Sequence, residues 1–240
     1  MASEADRLKR MTLSRALKKS LKHSLSARLV LPVIGTLLAV VALPTAAADG
    51  TSPWTLRLRA LNIQPTNHSQ AIPALEVPKD AIDVSSKWAP DIDIEYAFND
   101  KVSVELLLTV PQKHTVTVQQ SALGGPVDIG TFKHLPPTLT VKYRPLGDTT
   151  LSPYVGIGVN YTRLWDVRLA IPTVGSLQLD HESIGIAWQA GADYQLDQHW
   201  SASVDVKYVK ISSDIKLGDT RVSHVGVDPV LVAVGAGYRF

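Results

Sequence analysis

Asp91, Asp93 and Glu95 alternate with Ile92 and Ile94, so a strand through them sets three carboxylates on one face, spaced about 6–7 Å apart. Paired carboxylates can do general acid–base work. Here Arg57 and Arg59 repeat with the same period on a neighbouring segment, and they turn the trio into an ion-pair network rather than a catalytic pair. His68, His114, His134, His181, His199 and His224 lack the i, i+4 or x-E-x spacing of metal sites, and most are read as solvated loop residues. Gly156-x-Gly158 and Gly235-x-Gly237 lack the third glycine of a dinucleotide fingerprint. No G-x-S-x-G occurs, and the chain has no cysteine, hence no thiolate nucleophile, thiolate metal site or disulfide. Asn67-His68-Ser69 and Asn160-Tyr161-Thr162 match a glycosylation pattern by chance. The expectation is a protein that is no enzyme and uses no metal or cofactor.

The elements that carry these residues are alternating strands. Eight segments have period two: Trp54–Asn62, Pro90–Phe98, Val102–Val110, Thr138–Arg144, Val155–Thr162, Ile184–Tyr194, Trp200–Tyr208 and Val230–Phe240. Their lengths approach the ~10 residues of a membrane barrel strand, and an even count suits a closed antiparallel barrel. The connections after the second, fourth and sixth segments are short. Those at 62–89, 111–133, 165–182 and 211–227 are long and are expected as loops. Short turns at one end and long loops at the other is the periplasmic and extracellular asymmetry of outer-membrane barrels.

Residues 1–48 are expected to be a cleaved signal peptide, leaving 49–240 as the barrel. A basic region from Arg7 to Arg28 precedes the apolar stretch Leu29–Leu43 and the Ala46-Ala47-Ala48 cleavage site. That stretch is shorter than the ~20 residues a spanning helix needs, although a retained anchor is the alternative, and Met11 is an alternative start. Of the 24 Lys and Arg, 8 precede Asp49, as do 2 of the 22 Asp and Glu, so the remainder carries 16 basic and 20 acidic residues. The basic balance of the whole chain belongs to its leader, which excludes a nucleic-acid partner.

The aliphatic parity of the eight segments is nearly free of charge, whereas the other parity carries all the strand charges. A Lys or Arg facing mid-bilayer lipid costs ~2–4 kcal/mol, so the charged parity is assigned to the lumen. The expected lumen plug comprises Arg57, Arg59, Lys142, Arg144, Lys207 and Arg239 with Asp91, Asp93, Glu95, Glu105, Asp193 and Asp205. Trp54, Tyr96, Phe98, Tyr143, Tyr194, Trp200, Tyr238 and Phe240 fall at the short-turn ends, where an interfacial girdle belongs. Lumen-facing glycines suit a barrel whose interior is filled with side chains.

Leu151–Tyr161 (LSPYVGIGVNY), Trp200–Tyr208 (WSASVDVKY) and Asp228–Phe240 (DPVLVAVGAGYRF) resemble the outer-membrane protein W (OmpW) family. The resemblance covers Trp54 to Phe240. It implies an eight-stranded barrel in the outer membrane of a Gram-negative bacterium, and passage of small hydrophobic compounds. It also implies recognition of the terminal aromatic strand, with Tyr238 and Phe240, by the barrel-assembly machinery. The partners expected are therefore outer-membrane lipid, that machinery and a small hydrophobic solute. Leu107, Leu135, Leu164, Trp88 and Trp165 are the candidate lining of an extracellular apolar pocket. A solute blocked by the plug needs a lateral exit, and Pro90 and Pro136-Pro137, which lack ladder donors, mark weak points in the wall. The rival reading is a structural or adhesive barrel whose loops bind partners without transport.

Overall fold

Alternation dictates the architecture. A strand with one apolar and one charged face is stable across a bilayer only if every backbone group is paired and the charged face is enclosed, which a closed barrel achieves. The computed structural model describes residues 52–122, 124–171, 175–218 and 220–240. The expected signal peptide lies outside the described residues.

The strands in chain order are β1 (Trp54–Gln64), β2 (His68–Ser69), β3 (Ile82–Val84), β4 (Lys87–Ala97), β5 (Val102–Thr109), β6 (Gln112–Val118), β7 (Val127–Leu135) and β8 (Thr138–Tyr143). They continue with β9 (Leu151–Ile171), β10 (Gly175–Leu179), β11 (Glu182–Gln195), β12 (Trp200–Val209), β13 (Ser212–Leu217), β14 (Thr220–Gly226) and β15 (Val230–Arg239). Eight of them close a ring of antiparallel pairs: β1–β4–β5–β8–β9–β11–β12–β15, with β15 returning to β1. All eight expected strands are present, seven within a few residues of their expected bounds; the fifth, expected at Val155–Thr162, is the long β9, which runs from Leu151 to Ile171. Among the described residues no helix is long and apolar enough to cross a membrane.

Tight turns at one end follow side-chain chemistry. Asn99 Oδ1 accepts from the amides of Lys101 and Val102, both at 2.9 Å. Asp197 Oδ1 does the same for His199 and Trp200, both at 2.8 Å. Aromatic rings pack edge to face at this end: Trp54 on Tyr96 at 4.9 Å, Tyr96 on Phe98 at 5.3 Å, and Tyr238 against both Trp200 at 5.1 Å and Phe240 at 5.3 Å.

The four connections expected as loops are a correction. They hold β2, β3, β6, β7, β10, β13, β14 and the upper part of β9, paired into a wall that continues the barrel outward. Asn67 bridges the junction of β2 and β3, its Oδ1 accepting from the Val84 amide at 3.1 Å. These strands escaped notice because their pattern is inverted. Above the bilayer the outer face meets water, so Lys113, Thr115 and Thr117 face outward while Val116 and Val118 are buried inside. Within the bilayer the order is opposite: Leu58, Ile157, Ile186 and Val204 are exposed outside, and the charges are enclosed. On β9 a bulge around Asp166, which has φ 52°, shifts the register so that both Leu164 and Leu169 point inward.

Candidate functional site

On β1, β4 and β12 the interior turns from charged to apolar at one level, while β8 and β9 keep the uncharged polar Thr138, Thr140, Asn160 and Thr162 buried above Lys142. Reading outward from the short-turn end, β1 presents Arg57 and Arg59, then Leu61 and Ile63. β4 gives Glu95, Asp93 and Asp91, then Ala89, and β12 gives Asp205 and Lys207, then Val209. Ladder pairs place these switches side by side: Arg59 opposite Asp91, Leu61 opposite both Ala89 and Ala233, and Ala187 opposite Val209. A charged layer therefore lies beneath an apolar one.

The charged layer is an almost dry network. Arg57 reaches Glu95 at 2.6 Å, Asp193 at 2.8 Å and Asp93 at 3.5 Å. Arg59 meets Asp91 and Asp93, both at 2.9 Å. Glu95 and Glu105 stand directly opposite one another in the ladder, an arrangement that is unfavourable alone. Lys142 bridges them at 2.8 and 2.9 Å and lies 3.7 Å from the Tyr154 ring centroid. Arg144 bonds Glu95 at 2.5 Å and Asp193 at 3.2 Å, and Lys207 joins Glu105 at 2.8 Å to Asp205 at 2.6 Å. Gln189 and Tyr154, which sequence reasoning did not select, also donate to Asp205, at 2.7 and 3.0 Å. Asp93, Glu95 and Glu105 crowd close enough to resemble a metal cluster, but the surrounding cations account for that proximity.

Arg239 corrects the expected set. It pairs with Asp148, is about one-quarter exposed, and sits at the rim of a shallow polar recess with Thr55, Arg144 and Ser201. As the last residue of β15, opposite Thr55 and one ladder step beyond the Arg57–Gly237 pair, it lies below the network. Space for the large inward cations comes from glycines facing them: Gly237 opposite Arg57 and Gly235 opposite Arg59. Gly191 likewise makes room for Tyr154, since a Cβ there would lie 2.5 Å from the phenolic oxygen.

Above the switch, Leu61, Ile63, Ala187, Val209, Ile211, Leu231 and Ala233 form one apolar cluster. A second, higher cluster includes Ile72, Ile82, Val116, Phe132, Leu164, Leu177 and Val225. Of the five residues expected to line a pocket, Leu107 and Leu164 are buried inside at 1% and 3% exposure. The other three are corrections. Trp88 is 69% exposed on the outer face, and Leu135 and Trp165 lie half-buried on the outward parity opposite Arg163 and Lys133. The break at Pro136-Pro137 undid the parity count that selected Leu135, and Trp88 and Trp165, expected as loop residues at the pocket mouth, belong instead to strands whose outer face they occupy.

The wall has a gap in its ladder. β5 pairs with β8 as far as Leu107–Thr138, and β6 with β7 resumes at Gln112–His134. Leu108–Pro111 and Leu135–Pro137 do not pair with each other, although Leu108 and Thr109 still pair with β4 and Leu135 with β9. Two side-chain amides cap the carbonyls left there. Asn160 Nδ2 donates to Pro136 O and Pro137 O, both at 3.2 Å, and to Thr138 Oγ1 at 2.9 Å, while Gln112 Nε2 donates to Val110 O at 2.7 Å. Pro90, the other expected weak point, sits within the continuous β1–β4 ladder.

Just above the gap, His114 and His134 meet inside the barrel, each no more than 2% exposed. They lie beyond the lipid-facing band, at the level where Lys113, Lys133 and Arg163 face outward. Burial lowers the pKa of both rings, that of His134 to about 3, with Lys87 adding to the effect on His114. Both are therefore neutral. Their expected placement as solvated loop histidines is corrected; the signal was the alternation of 112–118 and 127–135, which places both on one face.

A match to the OmpW family runs over residues 53–240. The chain belongs to the OmpW family. Outer membrane protein W of Vibrio cholerae serotype O1 is 33% identical over 165 residues, covering 65% of this chain and 76% of that protein. The dibenzothiophene metabolism operon protein PahQ of Pseudomonas aeruginosa is 30% identical over 204 residues, 83% of this chain and 93% of its own. The crystal structure of outer membrane protein OprG from Pseudomonas aeruginosa superposes with a TM-score of 0.65 at 32% identity, over 78% of this chain and 95% of OprG. Membership in the OmpW family, together with the fold, locates this barrel in the Gram-negative outer membrane, its aliphatic face against lipid.

Proposed function

We propose that the barrel admits small hydrophobic molecules passively, receiving them in the apolar chamber and releasing them sideways into the membrane through the ladder gap. The observation that carries this reading is the single level at which the interior of β1, β4 and β12 turns from charged to apolar. An eight-stranded barrel has an interior just wide enough for side chains. Five cations and six carboxylates fill the lower part, so a solute favoured by the chamber has no apolar path downward. Buried ion pairs are costly to break, which makes the plug a floor rather than a route. Sideways, the unpaired edge of the Leu108–Pro111 stretch itself carries the lipid-facing Leu108 and Val110, 36% and 48% exposed, so a solute leaving through the gap enters an apolar medium. The relative PahQ is named for dibenzothiophene metabolism, and dibenzothiophene is an apolar aromatic of the class such a chamber would take.

Uptake by liposomes containing the refolded barrel tests this. Apolar aromatics should enter faster than in protein-free vesicles, and charged solutes of the same size should not. Equal permeation of both classes would mean a wet pore. No enhancement for either would favour a barrel whose outer wall binds partners without transport.

A further inference from the structure

His114 and His134 are diagonal neighbours on β6 and β7, with His114 opposite Phe132 and His134 opposite Gln112. His114 Nδ1 lies 2.6 Å from the Ser85 carbonyl, and the two Nε2 atoms lie 3.2 Å apart. A carbonyl only accepts, so His114 carries its proton on Nδ1 and turns the lone pair of Nε2 inward. In the neutral pair His134 must then be the Nε2–H donor.

We propose that these two imidazoles form a site for a borderline divalent cation of the Zn²⁺ class. Two nitrogens at ~2.0–2.1 Å from one tetrahedral ion are separated by about 3.3 Å, close to the spacing already present. The ion would take the place of the Nε2 proton, which moves through water to Nδ1 of the same ring, so no net proton is released. His114 already has the partner that orients a ligating imidazole, a backbone carbonyl on its other nitrogen. Both rings are neutral, as a ligand must be. Water completes the coordination, and the imidazole donor set selects an imidazole-preferring ion over Mg²⁺ or Ca²⁺. An ion there would join β6 to β7 directly above the ladder gap. The site does not depend on the transport reading.

Titration of ZnCl₂ into the tag-free protein in detergent micelles, followed by calorimetry, tests it. One saturable Zn²⁺ site is expected, with none for Mg²⁺. His114→Gln and His134→Gln should each weaken it by more than about tenfold, since losing even an outer-shell partner of a ligand costs ~10–100-fold in affinity. His224→Gln, at the separate His224–Asp214 contact, should leave it unchanged. Absence of a saturable site, or a site lost only in His224→Gln, would overturn the proposal and leave a hydrogen-bonded ring pair. Should the glutamine variants not fold, the imidazole nitrogen spectrum of the unmodified protein decides. Zn²⁺ must move both Nε2 resonances; changes confined to other histidines would overturn it.

Discussion

Replacing Arg57 by Gln should destabilise the barrel more than a change at any single peripheral charge. The guanidinium is 3% exposed and touches Glu95 at 2.6 Å and Asp193 at 2.8 Å, with Asp93 at 3.5 Å. Glutamine keeps one hydrogen-bonding end but removes the charge, and it leaves three carboxylates sharing Arg59, Lys142 and Arg144. Breaking a buried pair by removing one partner costs about 3–5 kcal/mol, chiefly because the remaining charge stays desolvated. The partial cover from Lys142 and Arg144, which also hold Glu95, places the expectation near the lower end, about 3 kcal/mol. Removing Glu95 as well should relieve part of that loss, with a coupling of about 0.5–3 kcal/mol in a double-mutant cycle of Arg57→Gln and Glu95→Gln. Urea unfolding in micelles measures the cycle, and planar-bilayer conductance reads the floor directly. Neutralising Arg57 and Arg59 together should raise conductance to small ions. Additive stabilities with unchanged conductance would mean that the charges are hydrated one by one in a wet lumen, and the physical argument for a sideways exit would fail.

Three further outcomes follow from the same geometry. Asn160→Leu removes the amide shared by Pro136 O, Pro137 O and Thr138 Oγ1. Thr138 Oγ1 still donates to Pro136 O and the Tyr161 amide to Pro137 O, so the cost should be only about 0.5–1.5 kcal/mol, the net worth of a hydrogen bond, with faster amide exchange in the residues bordering the gap. Gly191→Val drives a side chain into Tyr154, so Tyr154 must leave Asp205 and Lys142; a loss of about 1–3 kcal/mol from overpacking is expected in the same unfolding assay. The depressed pKa of His134 and His114 sets an acid limb: the unfolded chain takes up protons below about 6.5 while the folded rings resist. The contribution of His134 is full above that pH and is lost progressively as pH falls towards about 3, and His114 acts in the same direction. Compared at pH 7 and pH 4.5, the native barrel should lose more stability than a His134→Leu variant, and equal losses would contradict the assignment.

The eight membrane strands were legible because lipid imposes a rule that sequence obeys strictly: uncharged outside, charge enclosed. Arg57, Asp93, Lys142 and Lys207 were legible as a network for the same reason, since no other enclosed place exists for them. Arg239 was not, because its neighbour Asp148 lies in a turn with no period to count. The upper wall was missed where water replaces lipid and the pattern inverts, so that Lys113, Thr115 and Thr117 looked like loop. Trp88 and Trp165, read as loop, followed from that error, and Leu135 from the proline break in the parity count. The alternation of 112–118 and 127–135 puts His114 and His134 each on an inward face, but their contact, 20 residues apart in sequence, needed the hairpin register; the amide caps of Asn160 and Gln112 were not legible, being answers to carbonyls at the proline break.

The sideways exit is tested most directly by restoring the missing ladder donors with Pro136→Ala and Pro137→Ala and measuring uptake of an apolar aromatic into liposomes. Proline supplies no N–H, whereas alanine can pair across the gap and close it. Uptake should fall towards that of protein-free vesicles while the barrel becomes no less stable. Undiminished uptake in a folded double variant would contradict a route through this gap.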